Sequence, residues 1–236
     1  MAPSRNPILA TLLPALALLT AVAPRPAVAQ ASPPAATGDW VASVAEAAQA
    51  TRRVSDLERG RLLYAVCAEC HLDDGVGEPD GTMPQLAGQH RSVLVKQLLD
   101  IRSGVRHNPP MYPYAAQLDG VRDVVDVAGY VASLPPPSEV GVGPGTALER
   151  GRALYEASCQ RCHGAQGEGS ADAFHPRIGG QHYRYMVRQL IDIASGRRAN
   201  AHPDMVLVVS EFSARDVSAV ADWVSRRSAP DSSPAR

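Results

Sequence analysis

Along most of the chain, apolar residues recur three and four positions apart, the spacing of a helix that buries one face. Leu57 to Val66 follows it, and so do His90 to Arg102 and His182 to Ala194. The last two end near Gly104 and Gly196, as a helix C-terminus often does. Asp123 to Leu134 and Ala214 to Arg227 show the same periodicity. An earlier stretch, Asp39 to Ala50, can start at Thr37 or Asp39 and puts Trp40, Val44, Ala47 and Ala48 on one face. It reads as an arm packed on the neighbouring domain, with a partner-binding element as the alternative. No long alternation of apolar and polar positions marks a strand, so the expected fold class is all-α.

The pattern is doubled. Glu58-Arg59-Gly60-Arg61-Leu62-Leu63-Tyr64 returns as Glu149-Arg150-Gly151-Arg152-Ala153-Leu154-Tyr155, 91 positions later. After a single-residue insertion the offset is 92, and Pro84, Leu86, Gly88 and Gln89 fall on Pro176, Ile178, Gly180 and Gln181. Gln97-Leu98-Leu99-Asp100-Ile101 falls on Gln189-Leu190-Ile191-Asp192-Ile193. Two copies are too few for a solenoid and indicate a tandem duplication. The expected organisation is an arm with a short helix at 30–54, a first domain at 55–135, a Pro/Gly linker at 136–147 and a second domain at 148–227. A Ser/Pro/Arg tail follows at 228–236. Gly60 and Gly151 stand one turn before Tyr64 and Tyr155, where a missing Cβ would let another helix cross closely. Tyr130 and Trp223 are the aromatics expected on the closing helices.

Composition makes these domains look thin. Two phenylalanines and two tryptophans in 236 residues are few for two cores of about 80 residues each, and a large apolar cofactor would make up the deficit. A formal net charge of −1 carries no nucleic-acid signal. Residues 1–29 read as a cleaved export signal: Arg5 is the positive start, Pro7 to Val22 the apolar run, and Ala27-Val28-Ala29 the small-residue cleavage pattern. Ala21-Val22-Ala23 is a rival site, but Pro24 follows it. A retained anchor is the alternative, although the run is shorter than the ~20 residues that a spanning helix needs. Export predicts a periplasmic protein that touches membranes only through partners.

Four cysteines in an exported chain would ordinarily be two disulfides. Here they form two close pairs, each followed directly by histidine: Cys67-Ala68-Glu69-Cys70-His71 and Cys159-Gln160-Arg161-Cys162-His163. This is the haem c attachment pattern. Two thiols three positions apart, at a helix start, can bond the two vinyl groups of one porphyrin, and the next residue turns its imidazole to the iron. A thioredoxin-like pair would need a βαβ context, and a single zinc site would leave the second histidine unexplained. Disulfides within each pair would be strained. Two covalently bound haem c groups are therefore expected, with His71 and His163 as proximal ligands. Pro84 and Pro176 are expected to offer carbonyls to those imidazoles.

For the sixth ligand, Met111 and Met205 follow Gln89 and Gln181 by 22 and 24 residues, each in a proline-containing loop before the last helix. Met83 superposes on His175 and Met186 on Leu94, so neither position is common to both halves, and Met186 reads as core. Methionine suits the high potentials of electron carriers. His107 and His202, in the same loops, are the bis-histidine alternative.

Together these motifs resemble the cytochrome c4 family, periplasmic proteins made of two fused class I cytochrome c domains. The resemblance rests on both Cys-x-x-Cys-His motifs, the Pro-x-Leu/Ile-x-Gly-Gln segments at 84–89 and 176–181, the Gln-Leu-x-Asp-Ile helices and the loop Asn108 to Tyr114. It runs from about Ser55 to Arg227; the arm at 39–50 is extra, and His202-Pro203-Asp204-Met205 lacks the Tyr-Pro of the first loop. The family resemblance implies haems facing each other across the domain interface. It also implies an electron carrier, not an enzyme, working between respiratory donors and a terminal oxidase or reductase. Its partners would be a quinol-cytochrome c reductase, a terminal oxidase or a dehydrogenase, and no nucleic acid. The alternatives are a haem subunit of a dehydrogenase complex and a dihaem redox enzyme with one open iron site, for which Met205 is the place to look. From Arg52 to Pro136 there are nine basic and eleven acidic residues, and from Leu148 to Arg227 eleven and nine, a dipole of −2 against +2 that could orient docking.

Overall fold

A computed structural model describes residues 37–227. The expected export signal at 1–29, the start of the arm and the tail at 228–236 lie outside the described residues. Among the described residues there are ten helices and no strand, with one isolated antiparallel bridge between Ser170 and His175. None of these helices is long and apolar enough to cross a membrane.

In the first half, α1 (Thr37–Ala50) leads to α2 (Leu57–His71), α3 (Arg91–Ser103), the single turn α4 (Tyr112–Ala115) and α5 (Gly120–Ser133). The second half repeats the plan with α6 (Leu148–Ser158), the turn α7 (Gln160–His163), α8 (Tyr183–Ala194), α9 (Pro203–Ser210) and α10 (Ala214–Ser225). Caps fix several starts. The Asp56 side chain accepts from the Arg59 N–H at 3.0 Å ahead of α2, and Ser213 forms a capping box with Asp216 ahead of α10. Each half crosses its first and last helices, α2 on α5 and α6 on α10. Gly60 and Gly151 lie at those crossings, where an added Cβ would meet the Asp126 and Ala219 carbonyls and stand 2.8 Å from the Cβ of Tyr130 or Trp223. The aromatics meet beside them. Tyr64 and Tyr130 have ring centroids 5.5 Å apart, Tyr155 and Trp223 4.5 Å.

Helix α2 runs further than its apolar periodicity. It continues through Cys67 and Cys70 because nothing in Cys-Ala-Glu-Cys breaks a helix, so the motif occupies the last turn and not a helix start. The helix stops at Leu72, which takes φ 63°, a conformation strained for leucine; the matching place in the second half is Gly164, φ 77°. The turn is gripped from behind in both halves. The Tyr64 hydroxyl donates to the Leu72 carbonyl at 2.9 Å, and the Tyr155 hydroxyl to the Gly164 carbonyl at 2.6 Å.

The halves dock with a local two-fold correspondence. Gln89 Nε2 donates to the Arg177 carbonyl (2.8 Å) while its Oε1 accepts the Arg177 N–H (3.0 Å). Gln181 does the same to Gln85, at 2.9 and 3.0 Å. His90 Nε2 donates to the Glu168 carbonyl (2.7 Å), and His182 Nε2 to that of Val76 (2.8 Å). Each pair is related by the repeat offset, so the contact is isologous within one chain. Phe174, buried with φ 56°, reaches from the second half into the core cluster of the first. The expected linker is pinned: Tyr183 N–H donates to the Gly141 carbonyl (2.7 Å), and Gly145 N–H to Asp222 (2.6 Å).

The arm packs its Trp40, Val44, Ala47 and Ala50 against the first core, but it also reaches the second half. The Trp40 ring stands edge-on to His202, centroids 4.9 Å apart, and Lys96 Nζ lies 4.2 Å from the Trp40 ring centroid. Asp100 gathers Ser43 Oγ from the arm, Lys96 Nζ (2.6 Å) and Asn200 Nδ2 (2.6 Å) from the second half.

Two predictions follow from these crossings. Gly60→Ala and Gly151→Ala are each expected to lose about 1–3 kcal/mol to overpacking, read from denaturant midpoints. Tyr64→Phe and Tyr155→Phe are each expected to lose about 0.5–1.5 kcal/mol at pH 7 with the hydroxyl's hydrogen bond. Burial raises both phenols above their ordinary value. The unfolded chain therefore ionises first, and wild-type stability, full below pH ~10, falls as pH climbs past it. Unfolding curves at pH 9 and 11 should show a smaller loss in the phenylalanine variants than in wild type.

Candidate functional site

One cavity of about 1120 Å³ runs through both halves. Its walls are mostly apolar, with Leu94, Leu98 and Val131 on the first side and Ile178, Leu190 and Val220 on the second. All eight residues singled out by the sequence line it: Cys67, Cys70, His71 and Met111 from the first half, Cys159, Cys162, His163 and Met205 from the second.

His71 and His163 are buried, His71 at the end of α2 and His163 at the end of the turn α7, each directly after its cysteine pair. His71 Nδ1 donates to the Pro84 carbonyl at 3.1 Å and His163 Nδ1 to the Pro176 carbonyl at 2.9 Å, the contacts expected from the repeat. With Nδ1 carrying the proton, Nε2 keeps the lone pair, and His71 Nε2 is buried with no hydrogen-bond partner. Burial pushes both imidazoles below their ordinary value, outweighing the proline carbonyls, so both are neutral at pH 7. A neutral imidazole with a free, buried nitrogen is what a metal ligand requires.

The four cysteines are free thiols and half-buried. Burial, with the second cysteine of each pair adding to it, pushes Cys67 and Cys159 up to about 11, so these positions favour an uncharged sulfur such as a thioether. Among the described residues no three His, Cys, Asp or Glu side chains cluster to hold a metal ion of their own.

Met111 stands at the start of α4 in the first half. Met205 was expected in a loop but belongs to α9, a two-turn helix started by Pro203 and capped by His202, whose Nδ1 accepts the Asp204 N–H at 3.0 Å. That cap commits one nitrogen of His202 to the backbone, and His107 is exposed. Met186 is buried in the second core, as its helix face suggested. Both methionine positions fit a thioether facing the cavity.

Sequence reasoning missed the polar edge of the cavity. Arg106 donates to Gln97 Oε1 (2.8 Å) and Gln189 Oε1 (3.0 Å), and Arg198 returns the pattern to Gln189 (2.9 Å) and Gln97 (3.3 Å). Burial pulls Arg198 down to about 10, with neighbouring Arg106 adding to the effect. Two guanidiniums sharing neutral glutamines leave surplus positive charge at the interface, a setting for carboxylates such as haem propionates. The signal was available, since both arginines and both glutamines sit at the repeat offset.

Comparison with known proteins agrees with this geometry. The family model described as cytochrome c matches residues 148–227. Cytochrome c4 of Pseudomonas aeruginosa is 34% identical over 179 residues, covering 72% of this chain and 87% of that protein. The crystal structure of reduced recombinant cytochrome c4 from Pseudomonas stutzeri superposes with a TM-score of 0.68 at 30% identity, over 74% of this chain and 100% of that one. A thiosulfate dehydrogenase electron acceptor of Stutzerimonas stutzeri (strain A1501) is 34% identical over 167 residues, 66% of this chain and 76% of that protein. With two helical domains, paired Cys-His sites in one cavity and these relatives, the chain belongs to the cytochrome c4 family of dihaem electron-carrying cytochromes, each built from two class I cytochrome c domains.

Proposed function

We propose that the chain binds two haem c groups, one through Cys67 and Cys70 and one through Cys159 and Cys162. In this reading His71 and His163 are the proximal iron ligands and Met111 and Met205 the distal ones. One-electron redox chemistry is what haem c supplies when bound. The observation that carries the reading is the single cavity with both Cys-Cys-His-Met sets on its wall. The protein's own work is to keep each imidazole neutral by burial and oriented through a proline carbonyl, to keep water from the irons with apolar side chains, and to balance carboxylates with Arg106 and Arg198. The carrier works in the periplasm after cleavage behind Ala29, between a respiratory donor such as a quinol-cytochrome c reductase or a dehydrogenase and a terminal oxidase or reductase. The likeness to a thiosulfate dehydrogenase electron acceptor favours a dehydrogenase donor as a second reading, either as a free acceptor or as a bound haem subunit.

Haem content and optical spectra of the exported protein test this directly. We expect two haems per chain and a near-infrared His/Met band from each. Cys67→Ala/Cys70→Ala should halve the haem content, and Met111→Ala and Met205→Ala should each abolish one band and lower one potential. A wild-type chain with a single haem, or a band that survives both methionine variants, would refute it.

A further inference from the structure

The carbonyl of Pro84 and the N–H of Gln85 belong to one planar peptide group, and so do the carbonyl of Pro176 and the N–H of Arg177. Each group is held at both ends by different halves of the molecule. The Pro84 carbonyl accepts from His71 Nδ1 at 3.1 Å, while the Gln85 N–H donates to Gln181 Oε1 at 3.0 Å. The Pro176 carbonyl accepts from His163 Nδ1 at 2.9 Å, while the Arg177 N–H donates to Gln89 Oε1 at 3.0 Å. Gln181 is buried, and His182 N–H donates to the same Oε1 at 3.0 Å, so its amide cannot turn over without losing three bonds.

We propose that Gln89 and Gln181 are crossed positioning residues: Gln181 of the second half tunes the proximal His71 of the first, and Gln89 tunes His163. A hydrogen bond at a peptide N–H polarises the group and makes its carbonyl a better acceptor. The imidazole N–H bound there becomes more polarised, and its Nε2 a stronger electron donor. A stronger donor favours ferric iron, so each glutamine holds down the potential of the haem in the opposite half. The relay also makes the two sites mutually sensitive to how the halves dock.

The inference rests on His71 and His163 being the proximal ligands. Its test uses the holoprotein, with the two potentials assigned through Met111→Ala and Met205→Ala. Gln181→Ala should raise the first haem's potential and leave the second within error; Gln89→Ala should do the reverse. In the reduced protein the Nδ1 proton resonance of the opposite proximal histidine should shift upfield, a readout that loosened docking alone would not confine to one site. Ser92→Ala removes an interface hydrogen bond outside the relay, to the Ala171 carbonyl at 2.6 Å, and should move neither potential. Equal shifts of both haems, a shift on the glutamine's own side, or no shift in either variant would overturn the inference alone. Haem content that Cys67→Ala/Cys70→Ala fails to change would remove the ligand assignment, and the inference with it.

Discussion

The cavity shared by the two halves constrains everything around it. It is about 1120 Å³ in volume with mostly apolar walls, and the helices of both halves are arranged around it. A large apolar group fits this space, and it accounts for how few aromatic residues the two halves carry. The proposed attachment through the cysteines fits the same logic, since a covalently held group cannot leave a small shell.

A shell with an open side needs a lid, and each half uses the other. The reciprocal glutamine contacts, the reciprocal histidine contacts and the Arg106/Arg198 exchange satisfy buried donors and acceptors across one interface. Duplication explains their symmetry. A residue and its counterpart at the repeat offset make the same contact in opposite directions. The linker, pinned at Gly141 and Gly145, holds that docking without having to stiffen it from the outside.

Much of this was legible in the sequence because the repeat acts as an internal control. It located the helices, paired the motifs and singled out the proline carbonyls and the close glycines. What escaped it had physical reasons. The reach of α2 through the cysteines was hidden because periodicity reports packing on a core, and Cys67, Cys70 and His71 line the cavity. The helix at Met205 was read as a loop because Pro203 looks like a breaker, yet proline at a first helical position starts a helix. Gln89 and Gln181 were visible as matched letters, but a pair that crosses between copies leaves no trace within either copy.

The arm departs from that symmetry, and its chemistry suggests why it is retained. Lys96 and Asp100 are almost fully buried, and a buried ion pair gives little net stability unless further hydrogen bonds satisfy it. Ser43 and the face of Trp40 supply them from α1, while Asn200 supplies another from the second half. Burial lowers Lys96, while the hydrogen bond and charge of Asp100 pull the other way. Trp40 meanwhile leans on His202, the residue that caps the helix carrying Met205, whereas His107 ahead of Met111 is exposed. The duplicated halves thus share the contact from imidazole to proline carbonyl but differ in how the segments carrying Met111 and Met205 are held, so two copies of one motif sit in unequal surroundings.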